Sequence, residues 1–407
     1  MKKFEVNKSN QMYERAKAVI PNGIYGHFGA AVTKKGPKFF NSSQGAYFWD
    51  LDGNKYIDYM CGFGPMILGY NYPSVDKAAK EQYKKGNTVS LANSLMVELA
   101  ENLVDQITIA DWAVFGKNGG DSTSHAVMIA RHATGKSKIV KITDGYHGVA
   151  PWMQKGNPGT IKNDSRDVLE IPWNDVDSFS ELIDSNEDQI ACFISSPYHH
   201  PAYKDNQLPS EGYWKKMESL CKKHKIIMII DDVRAGFRVN LSGSNEEFGF
   251  NPDLVCFGKA IANGYPLSAL VGTKDLFDVA KEVYYSGSHF YNAVPMAAAI
   301  QTLKELKDKN VAKALNKKGK RLNEGIVKIA KSHGFELTVS GFPSMPYYRL
   351  KQQDMRSHLA WIEECVQRGV YFIGWHNHFI SMSHGEKEIE DTLSIVDDAF
   401  LAFKKNN

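Results

Sequence analysis

Two apolar runs that each end in a polar residue constrain the fold of this chain more than any other feature. Residues 226–230 form the first run, and Asp231 follows it. Residues 254–257 form the second run, which is followed by Gly258 and Lys259. Short apolar runs bounded by turn residues are typical of buried strands. Because ligands of an open α/β sheet lie at the carboxyl ends of its strands, we expect the acid and the amine at one ligand-binding edge.

The middle of the chain repeats an alternation of apolar runs, turns and amphipathic stretches. We predict strands at 112–115, 138–142 and 190–195, and helices at 93–109, 122–133 and 213–223. Strands that alternate with helices favour an α/β fold with a mostly parallel, doubly wound sheet.

The two ends of the chain show a different pattern. Alternating apolar and polar residues in 45–59, around Asp52-Gly53, predict a β-hairpin. The C-terminal part predicts helices at 296–308 and 311–333, strands around 335–350 and 370–382, and a last helix from Glu386. We therefore predict an N-terminal segment, 1–61, that is part of a smaller α+β domain, a large domain, 62–295, and a C-terminal small domain, 296–407.

Composition excludes several classes of protein. Hydrophobic residues make up 43 % of the chain and charged residues 23 %, as in ordinary globular proteins. A formal charge of +3 does not indicate nucleic-acid or membrane binding, and no apolar run reaches the roughly 20 residues of a membrane helix. The five cysteines are odd in number and lack CxxC spacing. Reduced, buried thiols and a charged N-terminus without a signal-peptide core predict a cytoplasmic protein.

The predicted acid and amine match the needs of pyridoxal phosphate, which uses a lysine for its Schiff base and an acid for its pyridinium nitrogen. Burial at a strand end lowers the pKa of a lysine and frees its amine. A single lysine is more often solvated, but the small residues of 258–264 around Lys259 leave room for a flat cofactor. Asp231 alone also fits a helix cap, or a magnesium-binding pair with Asp232.

Three further segments contain candidate cofactor ligands. Asn118-Gly119-Gly120 joins a strand to a helix, where backbone N–H groups bind phosphate, although an ordinary loop is about as compatible. Asp121 is expected to cap this helix. Tyr146-His147 follows a strand, and the tyrosine ring either stacks on the cofactor or belongs to the core. Ser288 lies in a small-residue turn whose hydroxyls are candidates for reaching a phosphate, although the residues alone predict a helix-entry loop.

Other polar residues are weaker candidates. His376, His378 and His384 do not match a common zinc spacing, so we predict no metal site. Arg234, Arg238 and Arg349 are candidates for a bidentate grip on a substrate carboxylate, although each is more often a structural ion-pair partner. An aromatic and imidazole-rich substrate pocket is predicted from Tyr25, His27, Phe28, His199, His200, Tyr291 and His378.

Nearly the whole chain resembles the class III aminotransferases of fold type I, in the branch that contains glutamate-1-semialdehyde aminomutase. The N-terminal part of the resemblance is carried by RAKAVIPNG, GAYFWDLDGNKYIDY and GPMILGYNYP. FGKNGGDST, TGKSKIVK and GYHG resemble the unit that binds phosphate. DDVRAGFRV resembles the aspartate motif, PDLVCFGKAIANGYP the lysine motif, and SGSH followed by MAAA the loop that reaches across the dimer.

The resemblance implies a fold type I transferase with pyridoxal 5'-phosphate and a role for each matching residue. Lys259 would form the Schiff base and carry the proton, and Asp231 would pair with the ring nitrogen. Val233 and Tyr146 would pack on opposite faces of the ring. His147, Asn118, Gly119 and Gly120 complete the expected cofactor site, the glycines through backbone donors to the phosphate. Ser288 would reach the phosphate of the partner subunit in a homodimer.

The sequence departs from the family pattern in five places, and one of them bears on the substrate. Asn118-Gly119-Gly120 replaces the usual Ser-Gly-Thr, which removes a hydroxyl ligand, and Asp231-Asp232 replaces Asp-Glu. Ser196 replaces a glutamate, and His199 or His200 stands in for an asparagine near the ring hydroxyl. Gly29 lies where the aminomutase has the arginine that holds the substrate carboxylate. This last departure disfavours glutamate-1-semialdehyde as the substrate.

We therefore predict an aminotransferase that moves an amino group between an amino acid or amine and a keto acid. An intramolecular amino shift, as in an aminomutase, or an amino-acid racemisation on the same scaffold are the alternatives. A non-catalytic protein with a sensing or scaffolding role is less favoured, because Lys259, Asp231 and Tyr146 are all present. The expected partners are small molecules and a second copy of the chain, without nucleic acid or membrane.

Overall fold

A computed structural model describes residues 1–33, 35–351 and 353–406 of the chain. None of the described helices is long and apolar enough to span a membrane. The α-helices are α1 Asn7–Lys17, α2 Gly26–Ala30, α3 Pro73–Lys85, α4 Leu95–Gln106, α5 Gly119–Thr134, α6 Val176–Asp184, α7 Tyr213–Lys223, α8 Ser244–Phe248, α9 Phe277–Glu282, α10 Ala293–Asp308, α11 Val311–Ser332, α12 Met355–Val366 and α13 Glu386–Asn406. The strands are β1 Phe40–Gln44, β2 Tyr47–Asp50, β3 Lys55–Asp58, β4 Trp112–Gly116, β5 Lys138–Ile142, β6 Val168–Ile171, β7 Ile190–Ser195, β8 Ile227–Asp231, β9 Leu254–Phe257, β10 Ser268–Gly272, β11 Leu337–Ser340, β12 Tyr347–Leu350 and β13 Val370–Tyr371. Short 3-10 helices lie at Pro151–Met153, Lys162–Ser165, Lys259–Ala262 and Lys274–Leu276.

The described residues divide into two compact units. The first comprises Met1–Tyr72, Ala202–Asn206 and Lys313–Asn407, and the second Pro73–Pro201 and Gln207–Ala312. The sequence-based domain boundaries stay a prediction.

The second unit is built on a seven-stranded sheet of order β4-β10-β9-β8-β7-β5-β6. Strand β10 is antiparallel to both of its neighbours, whereas β9, β8, β7, β5 and β6 pair in parallel. The predicted α/β fold with a mostly parallel sheet is therefore confirmed. The carboxyl ends of β5, β8 and β9, and of the similarly directed β4, lie at the same edge.

Helix α5 packs its apolar side against one face of this sheet. Ala126, Ile129 and Ala130 of the helix belong to one buried cluster with Ile229 of β8 and Cys256 of β9. Successive side chains of a strand alternate between faces, so Asp231 continues the face of Ile229. The core thus holds α5 on the same side of the sheet as the Asp231 carboxylate.

In the first unit, β1, β2, β3 and β13 form a sheet of that order. The predicted hairpin around Asp52-Gly53 is confirmed by the antiparallel pairing of β2 with β3. The predicted strand over 370–382 is wrong beyond Tyr371, where β13 ends. Backbone N–H groups in this segment bond to imidazole nitrogens and not to a neighbouring strand. The N–H of Ile373 donates to His378 Nε2 at 3.2 Å, and the N–H of Ser381 donates to His384 Nδ1 at 2.8 Å.

All five cysteines are free and buried, as the sequence predicts. Cys192 and Cys256 lie in β7 and β9, in the core against α5. Burial raises the pKa of the Cys192 thiol. These cysteines therefore act as small apolar core residues.

Candidate active site

The loops that follow β4, β8 and β9 meet at the side chain of Val233. A Cβ added to Gly119, just after β4, would lie 2.7 Å from Val233 Cγ1. A Cβ added to Gly258, just after β9, would lie 3.1 Å from the same atom. Both glycines are therefore needed for this close approach.

Asp231 ends β8 with its carboxylate held by two donors. Its Oδ2 is 2.8 Å from Nδ1 of His147, and its Oδ1 accepts a hydrogen bond from the N–H of Val233 at 3.1 Å. The His147 side chain is 1 % exposed and that of Asp231 9 % exposed. These contacts fix the orientation of a buried carboxylate at the ligand-binding edge of the sheet.

The turn that carries His147 packs on the start of α5. Thr123 Oγ1 donates to the carbonyl of His147 at 2.6 Å. Gly148 adopts φ +118°, and a Cβ at this position would lie 2.8 Å from Gly120 Cα. The second ring nitrogen of His147, Nε2, is buried without a hydrogen-bond partner among the described residues. The histidine that contacts Asp231 through Nδ1 thus carries a buried polar atom, Nε2, without a partner among the described residues.

Lys259 follows β9 and opens a short 3-10 helix. Its φ of +45° lies in the left-handed region, which is uncommon for a residue other than glycine. Burial, followed by the positive charge of Arg234, lowers the pKa of Lys259 to about 7, and the carboxylate of Asp231 opposes this shift. A large share of the amine is therefore neutral near pH 7, as nucleophilic attack on an aldehyde requires.

Helix α5 starts at Gly119, and the side chain of Asp121 in its first turn reaches back to the backbone before it. Asp121 Oδ2 accepts from the N–H groups of Asn118 at 2.7 Å and of Lys117 at 2.9 Å, so the predicted capping role is confirmed. The first N–H groups of a helix lack intrahelical acceptors. Gly119 and Gly120 therefore present backbone donors, without side chains, at a position suited to phosphate.

The neighbouring Asp232 is turned to a different partner. Its two carboxylate oxygens accept from Ser244, from the N–H at 2.9 Å and from Oγ at 2.6 Å. Burial raises the pKa of Asp232 to about 6. The magnesium-pair alternative finds no support, since no group of three or more possible metal ligands occurs in the described part of the chain.

The three arginine candidates occupy different settings. Arg349 forms a forked ion pair with Asp205, at 2.8 and 2.5 Å, as a structural arginine would. Arg238 is fully buried. Arg234 lies in the turn after β8 and is partly exposed. Burial lowers its pKa, and Tyr198 and Asp231 oppose that shift.

Tyr146 and the two histidines after β7 lie in the same unit. Tyr146 is 55 % exposed, and burial followed by the charge of Asp231 raises its pKa. His199 exchanges backbone hydrogen bonds with Gln207, and its ring lies 5.9 Å from that of Trp173. A small cavity at this edge is lined by Asp144, Gly145, His147, Trp173, Ser195, Tyr198, His199 and His200.

The remaining predicted site residues are not assembled with this edge in the described contacts. Ser288 lies on an exposed loop of the second unit. In the first unit, Tyr25 is 74 % exposed, and the ring of His27 lies 4.5 Å from that of Phe63. His378 is fully buried, and burial lowers its pKa to about 3. Substrate contacts by these residues stay a prediction, and the burial of His378 favours packing.

Sequence reasoning missed two residues that support the site. Thr123 holds the carbonyl of His147, and Lys141 contacts the turn before it. A hydroxyl in the first turn of a helix is an unremarkable signal. The sequence signal at Lys141 is clearer, because a lysine inside the apolar strand KIVKI needs a buried partner.

These residues fit pyridoxal phosphate. The fixed carboxylate of Asp231 would suit a protonated ring nitrogen, and the amine of Lys259 would suit the aldehyde. The close-packed glycines 119 and 120 leave backbone donors for the phosphate, where side chains would meet Val233 or the 148–149 backbone. Together with the sheet topology, this site defines a pyridoxal-phosphate-dependent transferase of fold type I.

The chain belongs to the class III aminotransferase family, whose model, Aminotransferase class-III, matches residues 30–386. It is 37 % identical to aminopentol aminotransferase of Sphingopyxis macrogoltabida, over 97 % of this chain and 94 % of that protein. It is 31 % identical to 3-aminobutyryl-CoA aminotransferase of Cloacimonas acidaminovorans, over 99 % of each. The solved internal aldimine form of the FumI protein of Sphingopyxis sp. MTA144 superposes with a TM-score of 0.96, at 36 % identity, over 98 % of this chain and 97 % of that one.

Glutamate-1-semialdehyde 2,1-aminomutases are also among its relatives. The predicted family and cofactor are confirmed: the protein is a pyridoxal-phosphate-dependent aminotransferase.

Proposed function

We propose that this enzyme transfers the amino group of a primary amine without a carboxylate on the reacting carbon to a keto acid. The names of the two aminotransferase relatives support this substrate class, since an aminopentol and a 3-aminobutyryl thioester carry no free carboxylate at that carbon. The observation that carries the transaminase chemistry is the pairing of a fixed Asp231 carboxylate with the low-pKa amine of Lys259.

The backbone around Gly29 supports transamination over the amino shift of the aminomutases. By the family resemblance, Gly29 replaces the arginine that holds the carboxylate of glutamate-1-semialdehyde. A Cβ at this position would lie 2.4 Å from the carbonyl oxygen of Ile24, within the backbone of α2 and its approach. A side chain at position 29 would require a shift of the backbone, so this local structure requires a glycine.

The chain's residues would hold the cofactor as follows. Lys259 holds it covalently through Nζ, and Asp231 keeps the ring nitrogen protonated while His147 orients the carboxylate. Val233 packs on one ring face and Tyr146 on the other. The backbone donors of Gly119 and Gly120 bind the phosphate beside Asn118. When bound, pyridoxal phosphate supplies an electron sink for the negative charge that develops at the amine-bearing carbon.

Lys259 performs the proton transfer in this proposal. With the substrate amine in place, the neutral Nζ of Lys259 would take up the proton of the amine-bearing carbon and hold it for the return transfer. A pKa near 7 suits both directions of this transfer, because general acid–base catalysis is best near the working pH. Arg234 assists by disfavouring the charged form of Lys259.

Arg234 is also the best placed of the three arginines for the carboxylate of the keto acid. Arg349 is forked to Asp205, and Arg238 is fully buried, whereas Arg234 is partly exposed next to Asp231 and Lys259. A guanidinium provides the planar fork that matches a carboxylate. His199, His200 and Tyr198 would line the same mouth.

We further propose a cytoplasmic homodimer in which Ser288 reaches the phosphate of the partner subunit. Tyr284, on the same loop, is 87 % exposed, and Leu91 is 80 % exposed. The backbone of Asn87 accepts from Ala293 N–H at 3.0 Å, which brings the loops of Leu91 and Ser288 to one region of the surface. A large exposed apolar surface is typical of a protein–protein interface.

A donor–acceptor screen tests the proposal. The enzyme with pyridoxal phosphate is mixed with amino alcohols, β-amino thioesters and α-amino acids, and the visible spectrum is followed with and without pyruvate. We expect rapid loss of the lysine-bound band with the first two donor classes, and turnover only with the keto acid. An amino group retained in the product without any keto acid would instead establish an aminomutase or racemase. Preference for α-amino acids would contradict the substrate class.

A further inference from the structure

Lys141 is a buried lysine to which the transamination mechanism assigns no step. It lies in β5, and its side chain is 6 % exposed. Its Nζ is 2.8 Å from Glu170 Oε1 on the adjacent β6. It also donates to the carbonyls of Gly145 at 3.2 Å and Ile142 at 3.4 Å. An ammonium has three donors, and these contacts use all three.

The two carbonyls belong to the tight turn that leads from β5 to His147. Gly145 N–H donates back to the carbonyl of Ile142 at 2.9 Å, and Asp144 adopts φ +62°. Thr143 N–H extends the ladder to Ile171 of β6 at 2.9 Å. A side chain at Gly145 would meet the Ile142 carbonyl at 2.8 Å and His147 Nε2 at 3.1 Å. The turn is therefore folded closely around the histidine.

Two sets of polar contacts, joined by the backbone of the turn, thus connect β6 with the end of β8. They run from Glu170 through Lys141 to the carbonyl of Gly145, and from His147 two residues later to Asp231. Lys155 approaches Glu170 from the solvent side at 3.5 Å. Because a buried ammonium costs free energy unless it is fully paired, a lysine at this position requires both the carboxylate and the turn carbonyls.

We propose that Lys141, held by Glu170, is a positioning residue that fixes the turn 143–148 and so orients the His147–Asp231 pair. The inference rests on the proposed function, in which Asp231 binds the ring nitrogen. In this role Lys141 acts through Glu170 and the turn carbonyls that it contacts. Lys141 sets the direction from which His147 Nδ1 contacts the Asp231 carboxylate. The orientation of this carboxylate then determines how strongly it binds the protonated ring nitrogen of the cofactor.

The test is Lys141→Met, which keeps the length of the side chain and removes its donors. Lys138→Met is the matched control, because Lys138 is on the same strand but its side chain donates to Asn186, at 2.5 Å, and not to the turn. Three quantities are measured: the Kd of pyridoxal phosphate for the cofactor-free protein, the pH midpoint of the visible band, and amide hydrogen exchange of residues 143–148.

For Lys141→Met we expect a Kd about tenfold higher, as for loss of a charged hydrogen bond. We also expect a shifted pH midpoint and faster exchange in 143–148. Glu170→Gln should change the same three quantities in the same direction and by a smaller amount. If Lys141→Met is recovered only as aggregate, the Glu170→Gln variant tests the positioning role instead. Values equal to those of Lys138→Met for both variants would overturn the inference.

His147→Phe separates this inference from the proposed function. If His147→Phe changes Kd and the pH midpoint while the Lys141 and Glu170 variants do not, only the positioning role fails. If His147→Phe leaves both quantities unchanged, the proposed role of Asp231 and its partner at the ring nitrogen fails as well.

Discussion

Buried histidines of the second unit and of the first unit, compared at His147 and at His378 and His384, have different contacts. In the second unit, His147 binds the Asp231 carboxylate through Nδ1 and leaves Nε2 without a partner among the described residues. In the first unit, His378 accepts from a backbone N–H and lies 5.1 Å from the ring of Tyr348, tilted by 27°. His384 stacks on Tyr59 at 4.3 Å.

The difference shows how to distinguish a histidine that orients a candidate site from one that stabilises the core. His378 and His384 complete the hydrogen bonding of an irregular backbone and fill the core around aromatic rings. His147 instead ties a loop to an acid at the carboxyl end of a parallel strand. Substitutions near His147 should therefore change cofactor binding and chemistry, and substitutions near His378 should change folding stability.

The largest effect is expected at Lys259, which shares the sheet edge with His147. Lys259→Ala should lower kcat by about 10³-fold or more, because it removes the general acid–base as well as the covalent attachment. Lys274→Ala is the control, since Lys274 also opens a 3-10 helix but is exposed. Steady-state turnover with amine and keto acid measures the effect, and near-normal turnover of Lys259→Ala would refute the role.

For His378 we expect a change in folding stability and none in cofactor binding. His378→Ala should lower the free energy of unfolding by about 2 kcal/mol, through a cavity and an unsatisfied Ile373 N–H. The Kd of pyridoxal phosphate should not change. Urea unfolding and a cofactor titration measure the two quantities. A raised KM with unchanged stability would instead support the substrate contact predicted from sequence.

His147→Phe should raise the Kd of pyridoxal phosphate about tenfold, because Asp231 loses a hydrogen-bond partner of its charged form. His132→Phe is the control, since His132 is exposed on α5 and pairs with Glu282 at 2.6 Å. Fluorescence titration of the cofactor-free protein gives both constants. Equal Kd values for His147→Phe and His132→Phe would show that His147, like His378, does not contribute to cofactor binding.

The last prediction concerns folding stability and its dependence on pH. The pKa of Lys259 is lowered to about 7, so unfolding restores the ordinary value and takes up a proton between these two pH values. Lys259→Met should therefore stabilise the cofactor-free protein most below pH 7. The gain should shrink as pH rises from about 7 towards the ordinary lysine pKa, about 10.4. Urea midpoints at pH 6.5, 8 and 9.5 measure it, and a gain independent of pH would contradict the lowered pKa.

Much of the second unit could be predicted from local sequence. The runs that become β5, β7, β8 and β9 are apolar and bounded by turn residues, so their positions follow from burial alone. Strand β10 was missed, because SALVG is short and its antiparallel direction depends on how the chain leaves Lys259. Strand order also depends on contacts distant in sequence, which periodicity does not contain.

The candidate site also depends in part on contacts between residues that are distant in sequence. Asp231, Lys259 and the glycines of α5 were recognisable because each stands at a strand end or helix start. The hydrogen bond between His147 and Asp231 joins residues 84 positions apart, so only the fold reveals it. In 370–382 the apolar pattern resembled a strand, but His378 and His384 satisfy backbone N–H groups that a neighbouring strand would otherwise bind.

The central claim is that Lys259 is the residue to which the cofactor is bound. The protein is incubated with pyridoxal phosphate, treated with borohydride to fix any lysine-bound cofactor, digested and analysed by peptide mass spectrometry. We expect the modification on the peptide that contains Lys259, and none on that peptide when pyridoxal phosphate is left out. A protein that takes up no cofactor, or that carries the modification at another lysine such as Lys141, would contradict the account.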